Sequence, residues 1–266
     1  MIIDFHAHVF PDELAPKAIH ALTDAISEPY PAASDGTVAG LLQNMDSWGI
    51  DISVIQPVVT KQSQTQKINE WTAGIASNRL VCFGGICPHT DDFKRDIDFV
   101  VSLGLKGLKF HAEYQNFIID DDYMLKIYDY ALCKDLILLH HAGFDPAFQP
   151  PFKSSPRRFA RIAEAMKGGV IIAAHLGGIF QWDDVENYLA GSAVYLDTSI
   201  GFDFFPHDQF CRIVRKHGAD KVLFGSDAPW SNAKTEIERL KSMPLPKGDI
   251  DSILYGNARR ILQYPC

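Results

Sequence analysis

Short apolar runs, rich in β-branched residues, recur along the chain. Apart from a longer first interval, their starts are separated by roughly 25 to 35 residues, the spacing of strands that alternate with helices. The eight runs are Ile2 to Phe5, Ile52 to Gln56, Val81 to Ile86, Gly107 to Phe110, Leu136 to Leu139, Val170 to Ala174, Ala193 to Leu196 and Val222 to Phe224.

The intervals between the runs carry helical patterns, for example from Leu125 to Leu132 and from Arg212 to Lys216. Each run is almost continuously apolar instead of alternating, as expected for parallel strands that are covered on both faces. A strand followed by a helix, repeated eight times, predicts an α/β fold of the (β/α)8 TIM-barrel type.

The 266 residues are predicted to form one domain, 1–266, because such barrels use about 250 residues as a single unit. Neither a break in composition nor an internal repeat suggests a second domain. Two loop-rich stretches, Glu28 to Gly36 and Gly143 to Pro156, are predicted to pass over the mouth of the barrel. Loops in that position commonly carry substrate specificity.

Composition restricts the partners and the compartment. The formal net charge is −8 and the basic residues are scattered, so nucleic acid is not an expected partner. The five cysteines are odd in number and lack paired zinc-ribbon spacing, which favours a reduced, cytoplasmic protein. Since no apolar stretch approaches the roughly 18 residues of a membrane span, we expect no membrane partner.

Polar side chains with metal-binding chemistry follow the ends of several predicted strands. In a barrel these ends converge on one mouth, so residues far apart in sequence can share a site. The residues concerned are His6, His8, His111, His140, His141, His175 and Asp227.

The spacing of His6 and His8 points to a metal site. Two residues along a strand advance about 6.6 Å and return to the same face, so both imidazoles can approach one cation. The alternative is a pair of polar residues that fray from the end of a strand. Histidines and an aspartate at matching strand ends favour the metal site.

The adjacent pair His140 and His141 can point only one member inward, because neighbours on a strand face opposite ways. We favour His141 as the ligand and His140 as the residue that caps the strand. His175 is predicted to belong to the site, since a core of Ile and Ala would leave its nitrogens without partners. Asp227 is predicted to be a catalytic carboxylate, although it could instead be the N-cap of a helix that begins near Pro229.

Further residues near the mouth are predicted to bind substrate. Lys109 and His111 lie two apart on the fourth strand and therefore face the same way. Lys109 could instead pair with an acid inside the barrel, or bridge two ions if it were carboxylated. Glu113, just beyond this strand, and Trp230, after the eighth, complete the predicted substrate-binding set.

The motifs resemble the amidohydrolase superfamily over essentially the whole chain. The closer similarity is to its amidohydrolase-related branch, which includes aminocarboxymuconate semialdehyde decarboxylase, resorcylate decarboxylases and lactonases. The motifs are His6-Ala-His8, Leu139-His-His-Ala-Gly143, Ala174-His-Leu-Gly-Gly178 and Phe224-Gly-Ser-Asp-Ala-Pro-Trp230. The resemblance implies that His6, His8, His141 and Asp227 bind one divalent ion, usually zinc, with His175 beside it as an acid–base or water-orienting group.

Family members with two ions bridge them with a carboxylated lysine or a glutamate on the fourth strand. The sequence from Leu108 to Gln115 does not look like that motif, so one ion is predicted. The expected activity is hydrolysis of an amide, lactone or related ester of a small molecule by metal-activated water. The main alternative is non-oxidative decarboxylation of a small carboxylic acid, and the third hypothesis is a non-enzymatic metal-binding or partner-binding barrel.

Two expectations concern the surroundings of the site. Lys153, Arg157 and Arg158 could bind an acidic substrate, although exposed loop bases are more often solvated. Asn257 is predicted to be the N-cap of a final helix. The sequence is also compatible with a homo-oligomer.

Overall fold

The computed structural model describes residues 1–24, 32–166 and 168–263. The predicted loop from Glu28 to Gly36 therefore lies partly outside the described residues. None of the described helices is both long enough and apolar enough to span a membrane.

Eight parallel strands form in the order that the apolar runs predict. Each strand pairs with the next one along the chain within two groups, β1 to β3 and β4 to β8. The strands are β1 Ile3–Ala7, β2 Ile52–Ile55, β3 Leu80–Cys82, β4 Gly107–Phe110, β5 Ile137–His140, β6 Ile171–Ala173, β7 Tyr195–Asp197 and β8 Val222–Leu223.

Backbone contacts join the two groups of strands on both sides. Parallel bridges link Gly84 to Leu108, beyond β3, and Ala7 to Ala228, beyond β8. The amide of Phe5 also donates to the carbonyl of Phe224 at 2.8 Å. The strands thus close into a barrel, which confirms the predicted TIM-barrel fold.

Helices follow the strands and cover the outside of the barrel. The helix α2 shows how local sequence sets their limits: the Thr37 hydroxyl accepts from the Gly40 amide at 2.9 Å at its start, and Gly49 ends it in the left-handed region. The helices are α1 Ala15–Asp24, α2 Val38–Trp48, α3 Thr65–Gly74, α4 Phe93–Ser102, α5 Asp122–Leu132, α6 Pro156–Ala165, α7 Trp182–Asp184, α8 His207–His217, α9 Ala233–Ser242, α10 Lys247–Asp251 and α11 Asn257–Ile261.

The structure excludes one N-cap that was an alternative, at Asp227, and one that was predicted, at Asn257. The helix after β8 begins at Ala233, where Asn232 accepts from the Lys234 amide, so Asp227 caps no helix at Pro229. Asn257 is already inside α11, and its amide nitrogen donates to the carbonyls of Ala219 and Val222. It therefore ties the last helix to β8.

The core has two layers. Residues such as Ile3, Phe5 and Leu139 form a cluster inside the barrel, and a larger cluster fills the space between the strands and the helices. The inner cluster is apolar, whereas polar side chains gather at the carboxyl ends of the strands. The packed interior thus supports a polar mouth.

Candidate metal centre

A local irregularity in β1 brings two histidines to the mouth. The pairing register between β1 and β2 shifts between Asp4 and Ala7. Phe5 packs in the inner cluster, yet the next residue, His6, also contacts groups inside the mouth. A regular strand would point these neighbours in opposite directions, so the bulge is what allows both positions.

The hydrogen bonds of His6 and His8 set their tautomers. Nδ1 of His6 lies 2.9 Å from Oδ2 of Asp197, and Nδ1 of His8 lies 2.7 Å from the carbonyl oxygen of Gln56. Both oxygens can only accept, so each Nδ1 donates its proton. In the neutral rings the Nε2 atoms then carry lone pairs.

Asp227 completes a group of three donor atoms. Its Oδ1 lies 3.3 Å from Nε2 of His6 and 3.1 Å from Nε2 of His8, and these two nitrogens are 3.2 Å apart. Tetrahedral ligands about 2.0–2.1 Å from one ion are separated by about 3.3–3.4 Å. Three lone-pair atoms at nearly that spacing repel one another unless a cation lies among them, so these residues fit a divalent metal ion.

The backbone of Asp227 is unusual and firmly held. Its φ of +66° lies in the left-handed region, and its amide donates to the carbonyl of His6 at 2.8 Å. Strained conformations of non-glycine residues cost free energy and concentrate at functional sites. This backbone hydrogen bond holds Asp227 next to β1.

The protonation states suit a metal ion. Burial lowers the pKa of His6 to about 4, which leaves a neutral ligand. Burial alone would raise the pKa of the Asp227 carboxyl, but the His6 and His8 imidazoles hold it well below its ordinary value. Neutral imidazoles and a carboxylate are the forms that bind zinc and similar ions.

Lys109 lies against the same group. Its Nζ is 2.9 Å from Nε2 of His6, and the residue is only 2% exposed. Burial lowers the pKa of its ammonium group to about 8. Lys109 therefore belongs to the candidate metal centre and not to the outer part of the mouth.

Two further imidazole nitrogens, on His141 and His175, face each other. Nδ1 of His141 is 3.0 Å from Nε2 of His175. Their other nitrogens approach the carbonyls of Phe144 and Ser199, at 3.0 and 3.1 Å, and must donate to them. The two facing atoms therefore hold lone pairs unless a proton or cation joins them.

The predicted ligand His141 is not within the compact group of His6, His8 and Asp227. It is grouped instead with His111 and Asp145, whose donor atoms lie within 4.8 Å of its own. The rings of His111 and His141 are stacked, with centroids 4.1 Å apart and planes at 12°. Because a ligand binds in the plane of an imidazole, two parallel rings cannot both bind one ion without rotation.

Asp197 connects these groups and was not identified from the sequence. Its Oδ2 accepts from His6, while its Oδ1 accepts from the His175 amide at 3.0 Å and the Ser199 hydroxyl at 2.5 Å. The signal was available, because Asp197 directly follows the seventh apolar run, Ala193 to Leu196. Asp145 was also missed, since it lies in the loop after β5 without a distinctive motif.

The two members of the His140–His141 pair have different surroundings. The His140 ring stacks on Phe110 at 5.0 Å and also contacts Tyr128 and Phe159. Neither of its nitrogens has a hydrogen-bond partner among the described residues, and burial lowers its pKa to about 3. His140 is therefore a packing residue, and it does not cap the strand through a side-chain hydrogen bond.

The other predicted substrate-binding residues have varied positions. His111 lies at the mouth, with Nε2 3.2 Å from Oδ2 of Asp145. The Glu113 carboxylate accepts from the Lys153 amide at 2.7 Å and the Ser154 hydroxyl at 3.2 Å, so it fastens the loop after β5. Trp230 is half-buried, and its amide donates to the carbonyl of Asp227.

The three loop bases contact other residues. Lys153 donates to Asn116, Arg157 pairs with Asp184, and Arg158 pairs with Asp120. Arg157 and Arg158 line a surface groove of about 680 Å³ that includes Phe180 and Trp182 and none of the predicted ligands. The described contacts of these bases thus lie away from the metal centre.

Comparison with known proteins decides the family. A family model described as Amidohydrolase matches residues 3–263. The chain belongs to the amidohydrolase family. No curated protein matches it.

Solved structures similar to this amidohydrolase support the fold. A 5-carboxyvanillate decarboxylase from Sphingomonas paucimobilis is 18% identical with a TM-score of 0.72, and 98% of each chain is covered. The corresponding enzyme from Novosphingobium aromaticivorans, solved with manganese, is 14% identical with a TM-score of 0.73, covering 99% of this chain and 96% of that one. A probable 2-pyrone-4,6-dicarboxylic acid hydrolase from Acinetobacter baumannii is 15% identical with a TM-score of 0.67, and 99% of each chain is covered.

Proposed function

We propose that this amidohydrolase is a metal-dependent hydrolase that acts on an amide, lactone or related ester of a small molecule. The observation that carries the proposal is the arrangement of three lone-pair atoms, on His6, His8 and Asp227, at 3.1 to 3.3 Å from one another. One divalent ion per chain, with zinc as the proposed metal, matches this donor set. His141 is the proposed fourth ligand, and its nitrogens lie outside the compact group of His6, His8 and Asp227.

The proposed cofactor supplies Lewis acidity, which lowers the pKa of a water molecule towards about 7 and polarises a carbonyl group. Asp227 is the proposed general base, because its carboxylate is ionised and lies within reach of both imidazoles. It accepts the proton of the attacking water and returns it to the leaving amine or alkoxide.

His175 is the proposed group that hydrogen-bonds the attacked oxygen, which requires a proton on Nε2 in addition to the one that Nδ1 donates to the Ser199 carbonyl. Its ring is held by Ser199, whose hydroxyl lies 2.9 Å from Nδ1, and its amide is held by Asp197. Its φ of +57° is again in the left-handed region. A side chain fixed from two sides can stabilise developing charge without reorganisation.

Decarboxylation of an aromatic acid is the second candidate. The ring of Tyr114 lies 4.6 Å from that of His111 and 4.9 Å from that of Phe148, so flat side chains line one wall of the mouth. Two of the similar structures are 5-carboxyvanillate decarboxylases. In this reaction a site acid would protonate the carbon that loses carbon dioxide.

A panel assay distinguishes the two reactions. Metal-loaded protein is incubated with lactones, N-acyl compounds and aromatic carboxylic acids while pH, free amine and carbon dioxide are followed. Release of protons from a lactone or of amine from an N-acyl compound, without carbon dioxide, supports the hydrolase, and carbon dioxide release supports the decarboxylase. His6→Ala should abolish either activity, whereas His207→Ala, at an exposed position of α8, should not. Activity that survives in His6→Ala would exclude the proposed centre.

A further inference from the structure

The ammonium group of Lys109 approaches the same atom that a metal ion would need. Its Nζ lies 2.9 Å from Nε2 of His6, and this is its only hydrogen bond among the described residues. The side chain is almost completely buried inside the mouth. The position of the ammonium group is thus set by its hydrogen bond to His6 and not by solvent.

Nε2 of His6 has a single lone pair, because the Nδ1 proton is donated to Asp197. That lone pair can accept a hydrogen bond from the ammonium or bind a metal ion, but it cannot do both. The ammonium has no lone pair of its own and cannot become a ligand while it is charged. Lys109 and the ion therefore compete for one nitrogen.

Charge strengthens the competition. Asp197 and Asp227 place two carboxylates around His6, and Lys109 is the cation that contacts the same imidazole. A divalent ion at His6 would lie close to this ammonium in a buried site, where like charges are poorly screened. Binding of the ion at Nε2 thus requires the Lys109 ammonium to move away from His6.

We propose that Lys109 is a positioning residue that occupies the cation position beside His6 Nε2, stabilises the metal-free centre and lowers the affinity of the centre for its ion. The inference rests on the metal centre of the proposed function. It assigns Lys109 a role opposite to that of a carboxylated lysine, which would bind the ion and raise the affinity.

The test is Lys109→Met, which keeps an unbranched side chain, one atom shorter, and removes the charge. Zinc affinity is measured by competition with a chromophoric chelator, and thermal unfolding is followed with and without zinc. We expect the dissociation constant to fall at least tenfold. The metal-free variant should melt at a lower temperature than the wild type, and zinc should raise its melting temperature by more. Lys106→Met, at an exposed position before β4, is the matched control and should match the wild type in all three measurements.

Zinc affinity of Lys109→Met that is unchanged, or weaker than that of the wild type, would overturn the inference. If Lys109→Met does not fold, Lys109→Gln provides the same measurement with a neutral polar side chain. Wild-type protein that binds no zinc would instead contradict the proposed function. In that case, zinc binding by Lys109→Met would sustain the role of Lys109, and its absence from both proteins would end both proposals.

Discussion

Single hydrogen bonds to acceptor-only oxygens determine the chemistry of this site. Asp197 and the Gln56 carbonyl accept hydrogen bonds from the Nδ1–H groups of His6 and His8, so both Nε2 lone pairs face Asp227. The sequence shows which residues have metal-binding chemistry but not which nitrogen is protonated. That information resides in contacts between distant parts of the chain.

Asp227→Asn tests the general base at this scale. Asparagine has the same size and tolerates the left-handed conformation that residue 227 adopts, so the fold should survive. Basicity is lost, and hydrolysis should fall by about 10²–10⁴-fold when measured at saturating metal. Asp220→Asn, on an exposed turn, is the control for the charge change. Full activity of Asp227→Asn would exclude the aspartate as the base and leave His175 as the next candidate.

Asp197→Asn tests the orientation of His6. An amide in place of the carboxylate can present an N–H group to Nδ1 and so favour the tautomer that cannot bind the ion through Nε2. Loss of such an orienting partner typically weakens metal binding by about 10–100-fold. Zinc affinity, measured by chelator competition, should fall within this range while circular dichroism is preserved. Unchanged affinity would show that the ring is oriented by its packing alone.

At the level of elements, the predictable and unpredictable parts of the structure have different physical origins. The strands were predictable because continuous apolar runs bury both faces, and their order fixes which side chains reach the mouth. The bulge in β1 was not, because alternation alone would set Phe5 and His6 on opposite faces. The contacts of Asp145 depend on the conformation of a loop, which periodicity does not encode.

Glu113→Gln tests how the loop after β5 is held over the mouth. Both carboxylate oxygens accept hydrogen bonds, from the Lys153 amide and the Ser154 hydroxyl, whereas a glutamine offers only one acceptor oxygen. We expect faster amide hydrogen exchange between residues 143 and 156 and an unchanged rate in the strands. Glu238→Gln, at an exposed position of α9, should leave both rates unchanged. Exchange that is equally slow in Glu113→Gln would show that the loop is held by its aromatic contacts instead.

For the whole molecule, stability depends on carboxyl groups that the barrel buries away from the metal-binding atoms. Glu236, on α9, is 2% exposed and its Oε2 accepts from the Phe202 amide at 3.3 Å. Burial raises its pKa from 4.5 to about 7, more than this hydrogen bond and Arg239 lower it. The folded state therefore favours the protonated form of the Glu236 carboxyl group.

Glu236→Gln should change how the stability of the molecule depends on pH. The pKa of Glu236 is higher in the folded state, so its contribution is fully present below about pH 4.5 and is lost as pH rises through about 7. Glutamine stays neutral and still accepts from Phe202. Relative to the variant, the wild type should therefore lose about 3 kcal/mol of unfolding free energy between these limits, since each pKa unit corresponds to about 1.4 kcal/mol. Urea unfolding of both proteins at pH 5 and pH 8 measures the difference, and Glu238→Gln serves as the exposed control. Parallel pH profiles for the wild type and Glu236→Gln would show that the carboxylate is accommodated without loss, by Arg239 or by water.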